Sequence, residues 1–95
     1  MANYRISKEA KDDLIRIYRY GVIQFGEVQA ERYFHALYEQ FELISFNPEH
    51  YQALDYIKFG YRRCPYKADN IYFRVEKGSV EIMAIVGRQD IGAKL

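Results

Sequence analysis

Arginine side chains recur along the predicted sheet, at Arg62, Arg63, Arg74 and Arg88. Arg62 and Arg74 fall on predicted neighbouring strands and Arg88 ends the next strand, so we expect these three guanidinium groups to converge on one part of the sheet. Guanidinium forks suit a phosphate or a carboxylate. The alternative is structural, because these cations could form ordinary cross-strand ion pairs with nearby acids, namely Glu76, Glu81 or Asp90.

The other potentially reactive side chains give weaker indications of a functional site. Cys64 is the only cysteine, and side-chain alternation places it with Arg62 and Tyr66 on one strand face, which would permit the lowered pKa that a nucleophilic thiol needs. A buried structural thiol is the more common role of a single cysteine. His35 and His50 are not spaced as metal ligands with Cys64 or with a carboxylate cluster. The sequence therefore predicts no catalytic residue, no cofactor and no metal site.

Charge and composition limit the partners. The chain has 95 residues, 49% of them hydrophobic, which suits a single domain spanning 1–95 with one core. Fourteen basic residues against 13 acidic ones leave a net charge of +1, too little for a whole-molecule field towards nucleic acid or an anionic membrane. We expect neither sequence-specific nucleic-acid binding nor a membrane partner. One cysteine, and a start without an apolar secretion signal, predict a cytoplasmic protein.

The first half of the chain predicts a strand and two helices. Tyr4 to Ile6 is a short strand candidate, and Ser7 suits the N-cap of a helix from Lys8 to Phe25. Gly26 supplies a left-handed stop. The apolar positions of this helix lie on one face: Ala10, Leu14, Ile17, Tyr18, Gly21 and Phe25.

A second helix is predicted from about Glu27 to Ser45. Its apolar seam has regular spacings of four and three residues, at Ala30, Phe34, Leu37, Phe41 and Ile44. Two such stripes across a short connection predict an antiparallel αα-hairpin. Asn47-Pro48 ends the helix, and the segment from Pro48 to Phe59 is predicted to be a loop.

Three strands are predicted to follow, at Tyr61 to Tyr66, Asn70 to Lys77 and Ser79 to Val86, with a tight turn at Lys77-Gly78. The predicted fold is α+β, in the order β-α-α-β-β-β, with the αα-hairpin packed on one face of an antiparallel sheet. The opposite sheet face should remain free for function.

A family resemblance runs along nearly the whole chain. It begins with the pattern Y-x-I-S-x-x-A-x-x-D-L from Tyr4 to Leu14 and continues through Phe25-Gly26 and Asn47-Pro48. It ends with Gly60-Tyr61-Arg62, Ile71-Tyr72-Phe73-Arg74-Val75 and Gly87-Arg88-Gln89-Asp90. In order and spacing these motifs resemble the ParE toxins of the RelE/ParE superfamily.

The resemblance implies the RelE/ParE-like fold and a toxin of a type II toxin-antitoxin module. A ParE-like toxin binds DNA gyrase and blocks replication, without catalytic residues of its own, and is neutralised by a ParD-like antitoxin in a hetero-oligomer. On this interpretation the target-binding residues are Arg62, Arg74 and Arg88. The antitoxin is expected to use exposed aromatic side chains, with Tyr4, Tyr18 and Tyr61 as candidates, through a helix in an apolar groove or a strand added to a sheet edge.

Two alternatives stay open at this point. The RelE branch cuts messenger RNA in the ribosome, and Arg62, Arg74 and Tyr72 could form a minimal nuclease site. The low net charge and the lack of histidine after position 50 argue against that branch, because cleavage needs proton transfer and charge stabilisation. The second alternative is an inactive module that only binds an antitoxin.

Overall fold

Two α-helices and five β-strands follow one another in the computed structural model, which describes residues 3–87. A short strand comes first, two long helices follow, and the other strands fill the second half of the chain. In chain order the bounds are β1 Tyr4–Ile6, α1 Lys8–Phe25, α2 Glu27–Phe46, β2 Gln52–Ala53, β3 Tyr61–Tyr66, β4 Asp69–Glu76 and β5 Ser79–Gly87, with a 3-10 turn at Pro48–His50 before β2.

Helix α1 begins at the predicted cap. The Ser7 hydroxyl oxygen accepts a hydrogen bond from the backbone N–H of Ala10 at 3.0 Å, which satisfies one of the unpaired donors of the first turn. Phe25 is predicted to share the buried face of this helix, but it is 66% exposed. That prediction is wrong because the last turn of α1 borders an open groove and not the core. The residues that are buried are Ala10, Asp13, Leu14 and Ile17.

The two helices form the predicted αα-hairpin, joined by the single residue Gly26. Its φ of 90° lies in the left-handed region, where glycine has no Cβ to clash. Gly21 faces Ala30, and the ring of Tyr18 meets that of Phe34 at 5.7 Å, so the helices run antiparallel. Within residues 3–87, neither helix combines the length and apolar composition that crossing a bilayer would require.

The strands form one sheet in the order β1-β5-β4-β3-β2. The pairs β2–β3, β3–β4 and β4–β5 are antiparallel, whereas β1 lies parallel to β5 with Tyr4 opposite Val80. The predicted α+β class is confirmed, but the sheet is mixed and not wholly antiparallel. The connection from β1 to β5 contains both helices and strands β2 to β4, which is long enough to permit the parallel pair. The short strand β2 lies in the segment that the sequence predicts as a loop.

A β-bulge at Met83 interrupts the alternation of β5. Tyr72 pairs with Ala84 while the next residue, Phe73, pairs with Ile82, which leaves Met83 as the extra residue. Ile82 and Ile85 are therefore both buried on the helix side of the sheet, an arrangement that strict alternation would forbid.

The main core lies between the helix hairpin and one face of the sheet. Leu37, Phe41 and Ile44 of α2 are fully buried, and each such side chain contributes about 1.5–3 kcal/mol of transfer free energy. The sheet supplies Cys64, Ile71, Phe73, Val80, Ile82 and Ile85. The predicted seam of α2 is thus confirmed: Ala30 is buried as well, and Phe34 is partly buried against the core.

The opposite sheet face, called the outer face below, is not free as expected. A second apolar cluster covers part of it, and Leu54, from the loop between β2 and β3, is fully buried there. The cluster's other buried members are Tyr61, Tyr72, Ala84 and Val86. The loop folds back because its apolar side chain gains burial on the sheet.

Polar side chains of α1 bind the edge of β5 beyond the end of β1. Asp13 is only 3% exposed, and its carboxylate accepts the backbone N–H of Ile85 at 2.9 Å. Arg16 donates to the carbonyl of Ile85 at 2.9 Å and lies 3.5 Å from the Asp13 carboxylate. Ser7 donates to the carbonyl of Met83 at 3.1 Å. Helix side chains therefore satisfy backbone groups that a longer β1 would otherwise pair.

We predict that Asp13→Ala lowers the free energy of unfolding by about 1–3 kcal/mol, because it leaves a buried N–H without its acceptor. Urea denaturation of purified protein measures the change. The control is Asp12→Ala on the same helix, whose carboxylate is exposed and pairs with Lys8 at 3.3 Å; it should stay within about 0.5 kcal/mol of the parent. Equal losses in the two variants would contradict the role given to Asp13.

Candidate binding surfaces

The structure does not bring the predicted arginines together. Arg62 lies opposite Phe73 in the β3–β4 register, while Arg74 lies opposite Tyr61. Directly opposed residues share a face and neighbours alternate, so Arg62 points to the helix side and Arg74 to the outer face. The predicted convergence is therefore wrong for this pair. Arg88 lies outside the described residues.

Arg74 belongs to an ion-pair network on the outer face. Its guanidinium lies 3.0 Å from Glu76 and 3.0 Å from Glu81. Arg5 on β1 contacts the same two carboxylates, lying 3.6 Å from Glu81. Two cations and two anions give the network no net charge. The structural alternative from the sequence is confirmed for Arg74, whose charge is already paired.

Arg62 and Arg63 differ from Arg74 because neither forms an ion pair within the described residues. Arg62 donates to the carbonyl of Tyr51 at 2.7 Å, and Arg63 donates to the side-chain oxygen of Gln52. These neutral acceptors hold the two guanidinium groups at the β2–β3 edge, one on each face of the sheet. We call this pair the arginine edge. The sequence marks Arg63 as one of the cations of the sheet, but the predicted target-binding residues do not include it.

The residues suggested for a minimal nuclease are not assembled. Tyr72 is fully buried, and burial raises the pKa of its hydroxyl even though nearby Arg63 acts in the opposite direction. Arg74 is paired with carboxylates, and Arg62 lies on the other face of the sheet. Tyr72 is thus poorly placed to exchange a proton with a substrate in solvent.

Cys64 is a core residue. It is 1% exposed, and burial raises the pKa of its thiol, although a hydrogen bond from Gln40 at 3.3 Å acts the other way. The neighbouring Arg62 is directed to a backbone carbonyl. His35 and His50 are exposed, and residues 3–87 contain no group of three His, Cys, Asp or Glu side chains that could hold a metal ion.

The three aromatic residues suggested for antitoxin binding are not exposed. Tyr61 is 7% exposed and belongs to the outer-face cluster. Tyr4 is half-buried with its ring 5.8 Å from Phe41, and Tyr18 packs edge-on against Phe34. The expectation of exposure is wrong because each of the three tyrosine rings packs against apolar side chains. Their proposed role in antitoxin binding stays a prediction.

An open groove of about 770 Å3 lies where the helix hairpin meets the β3–β4 turn. Its floor depends on a close helix contact, because a Cβ on Gly21 would lie 3.2 Å from that of Ala30. Tyr20 and Phe25 line it with large exposed rings. The charged lining residues are three basic and one acidic: Arg16, Arg32, Lys67 and Asp69.

A hydrogen bond fixes the far wall of this groove to the helices. The Tyr33 hydroxyl on α2 donates to the Asp69 carboxylate at 2.8 Å, where β4 begins. Burial and this carboxylate raise the pKa of Tyr33 far above its ordinary value, so the phenol stays protonated. The sequence reasoning missed the groove because its walls come from three segments that are distant along the chain.

The fold and surfaces define a class of protein: an αα-hairpin on one face of a five-stranded mixed sheet, with an open groove where the two meet. Residues 4–92 match the family model described as the ParE toxin of the type II toxin-antitoxin system, parDE. The chain therefore belongs to the ParE toxin family, which confirms the resemblance found in its sequence.

One curated relative agrees with this assignment, and two solved structures share the fold. Toxin ParE1 of Caulobacter vibrioides is 35% identical over 75 residues, covering 79% of this chain and 78% of that protein. A chain from the chromosomal ParDE toxin-antitoxin system of P. aeruginosa matches the fold with a TM-score of 0.79 at 20% identity, over 92% of this chain and 96% of that one. A conserved hypothetical protein of Helicobacter pylori matches at 0.63 and 16% identity, over 96% and 99%.

We predict that Cys64 reacts with a thiol reagent such as dithionitrobenzoate at least about 10-fold more slowly in the folded protein at pH 8 than in urea. A raised pKa keeps the thiol protonated, and the reaction also needs local opening. The absorbance of the released thiolate gives both rates. A folded-state rate equal to the unfolded one would mean that Cys64 is accessible and ionised, which would reopen a reactive role.

Proposed function

We propose that this chain acts in the cytoplasm as a poison of DNA gyrase that works by binding, and that a ParD-like antitoxin neutralises it. Two findings support the proposal: the chain belongs to the ParE family, and it is similar to a protein named Toxin ParE1. The observation that carries it is the contrast between two kinds of residue. Cys64 and Tyr72 are buried with raised pKa values. Arg62 and Arg63, in contrast, are half-buried cations without an ion pair among the described residues, and the groove is open to solvent.

The groove is the proposed antitoxin site. Its exposed rings offer apolar area to one face of an amphipathic helix, and its basic lining suits acidic side chains at the rim of that helix. The structural match to a ParDE system supports a partner of this class. Tyr18 lies on the same helix as Tyr20 and stays a second candidate contact.

The arginine edge is the proposed target-facing surface. Arg62 keeps the role predicted from the sequence, and Arg63 joins it because its charge is also unpaired among the described residues. Arg74 is a poorer cation for a partner, since breaking its network would expose two carboxylates. The role of Arg88 stays a prediction from the sequence.

The central test adds purified protein to DNA gyrase, supercoiled plasmid and ATP. We expect linear plasmid to accumulate, because a poison holds the enzyme on cleaved DNA. A parallel cell-free translation with labelled message should show no cleavage. Cut message without linear plasmid would favour the ribonuclease alternative. Normal growth of cells that express the chain without antitoxin would favour the inactive module.

The next prediction concerns the affinity of the groove for the antitoxin. Phe25→Ala should weaken binding of the cognate antitoxin at least about 10-fold, because we expect this ring to be one of the few central side chains whose truncation costs about 2 kcal/mol or more. Isothermal titration measures the dissociation constant. The matched control is Leu43→Ala, an exposed apolar residue of α2 outside the groove lining, which should leave it unchanged. Equal affinities for the Phe25 variant and the parent would remove the groove as the antitoxin site.

A further inference from the structure

The loop that joins β2 to β3 exposes three large apolar side chains within four residues. Phe59 is 88% exposed, Tyr56 is 74% exposed and Ile57 is 41% exposed. We call residues 54–60 the aromatic loop. Scattered single apolar residues are normal on a protein surface, but a contiguous group of this size commonly marks a site of interaction.

Hydrogen bonds hold the aromatic loop in one conformation. The backbone N–H of Leu54 donates to the carbonyl of Tyr61 at 2.8 Å, and the N–H groups of Ile57 and Lys58 each donate to the Leu54 carbonyl at 2.9 Å. The Asp55 carboxylate accepts the N–H of Gly60 at 2.9 Å.

Two further features fix the loop to the sheet. Gly60 has a φ of 84°, which favours glycine at this turn, and the buried Leu54 anchors the loop on the outer face. The exposed side chains are therefore presented on an ordered backbone, so little backbone entropy would be lost when a partner binds.

The charges around the loop are mostly positive. Lys58 lies in the loop with its ammonium 5.1 Å from the Tyr61 ring centre. Arg62 and Arg63 follow the loop directly and form no ion pair within the described residues. Asp55 is the acidic residue of the loop, and its carboxylate is already hydrogen-bonded. The exposed Glu49 lies beside Phe59 and Arg62, so three basic residues stand against two acidic ones here. A matching surface would have an apolar pocket with acidic groups around it.

The loop and the groove lie at opposite ends of β3. The loop leads into Tyr61, where the strand begins, and the groove-lining Lys67 follows Tyr66, where it ends. At about 3.3 Å per residue the two ends are roughly 17 Å apart. A helix seated in the groove would therefore leave room for a different partner at the loop.

We propose that Tyr56, Ile57 and Phe59 anchor this chain in an apolar, acid-rimmed pocket of the protein that it poisons. The inference rests on the proposed function and adds the element that grips the target. Interfaces concentrate their binding energy in a few aromatic and arginine side chains near the centre of the contact. The aromatic loop beside the arginine edge supplies both.

The test asks whether Phe59→Ala weakens the action on gyrase while it leaves antitoxin binding unchanged. Because this ring is the most exposed of the three, its loss should leave folding intact, which a thermal melt verifies. We expect gyrase-dependent plasmid linearisation to require at least about 10-fold more protein, and growth arrest to weaken in cells without antitoxin. Antitoxin affinity should match the parent. The control is Ile23→Ala, an equally exposed apolar residue at the end of α1, which should change neither activity.

Each other result would overturn the proposal. Unchanged linearisation by Phe59→Ala, with a parent that does trap gyrase, removes the loop but leaves the proposed function standing. Weaker antitoxin binding would assign the loop to the antitoxin, and loss of a parent homodimer in sedimentation would assign it to a second copy. If the parent binds linear duplex DNA in the absence of gyrase and Phe59→Ala loses this binding, the loop would be assigned to DNA. A parent that neither traps gyrase nor arrests growth overturns both the proposed function and the loop's role.

Discussion

The contact between α1 and the edge of β5 is the constraint on which the arrangement of the molecule depends. Strand β1 covers only the first part of that edge, since it pairs with Val80, Glu81 and Ile82. Beyond it, the Asp13 carboxylate and the Arg16 guanidinium bind the two backbone groups of Ile85. A buried N–H without an acceptor would cost about 1–3 kcal/mol. These two contacts therefore fix the position of the helix along the strand.

That fixed position determines where the groove forms. Arg16, which forms part of the β5 contact, and the adjacent Ile17 also line the groove. Gly21 then allows α2 to approach closely, with Ala30 at its nearest point. On the far wall, the hydrogen bond from Tyr33 to Asp69 joins α2 to the sheet. The groove is thus shaped by contacts at several of its sides.

The sequence predicted the elements well because their signals are local. The Ser7 cap, the seam of α2 and the Lys77-Gly78 turn each follow from a few neighbouring residues, and Gly78 has the expected positive φ of 74°. The parallel β1 and the bulge at Met83 were missed because they are set by packing between distant segments. The faces of Arg62 and Arg74 depend on the β3–β4 register, which residue types alone do not fix.

The binding residues were predicted less well than the secondary structure, because several side chains that we expected to be exposed and free are buried or already paired. Arginine and tyrosine were selected as exposed groups, yet Arg74 is neutralised by carboxylates and Tyr61 is packed under a loop. Two of the exposed rings lie instead at chain reversals, Phe25 before Gly26 and Phe59 before Gly60. A glycine with positive φ turns the chain sharply there. An adjacent large side chain then has few neighbours within reach to cover it.

The described edges of the sheet favour a helix in the groove over an added strand. Strand addition needs a run of unpaired N–H and C=O groups along an edge. β1 has three residues and β2 has two, so both edges are short. β3 extends beyond β2, but it carries Pro65, which has no N–H to donate. An apolar helix face needs no such donors, and Tyr20 and Phe25 provide the exposed area on which it would bury its own apolar side chains.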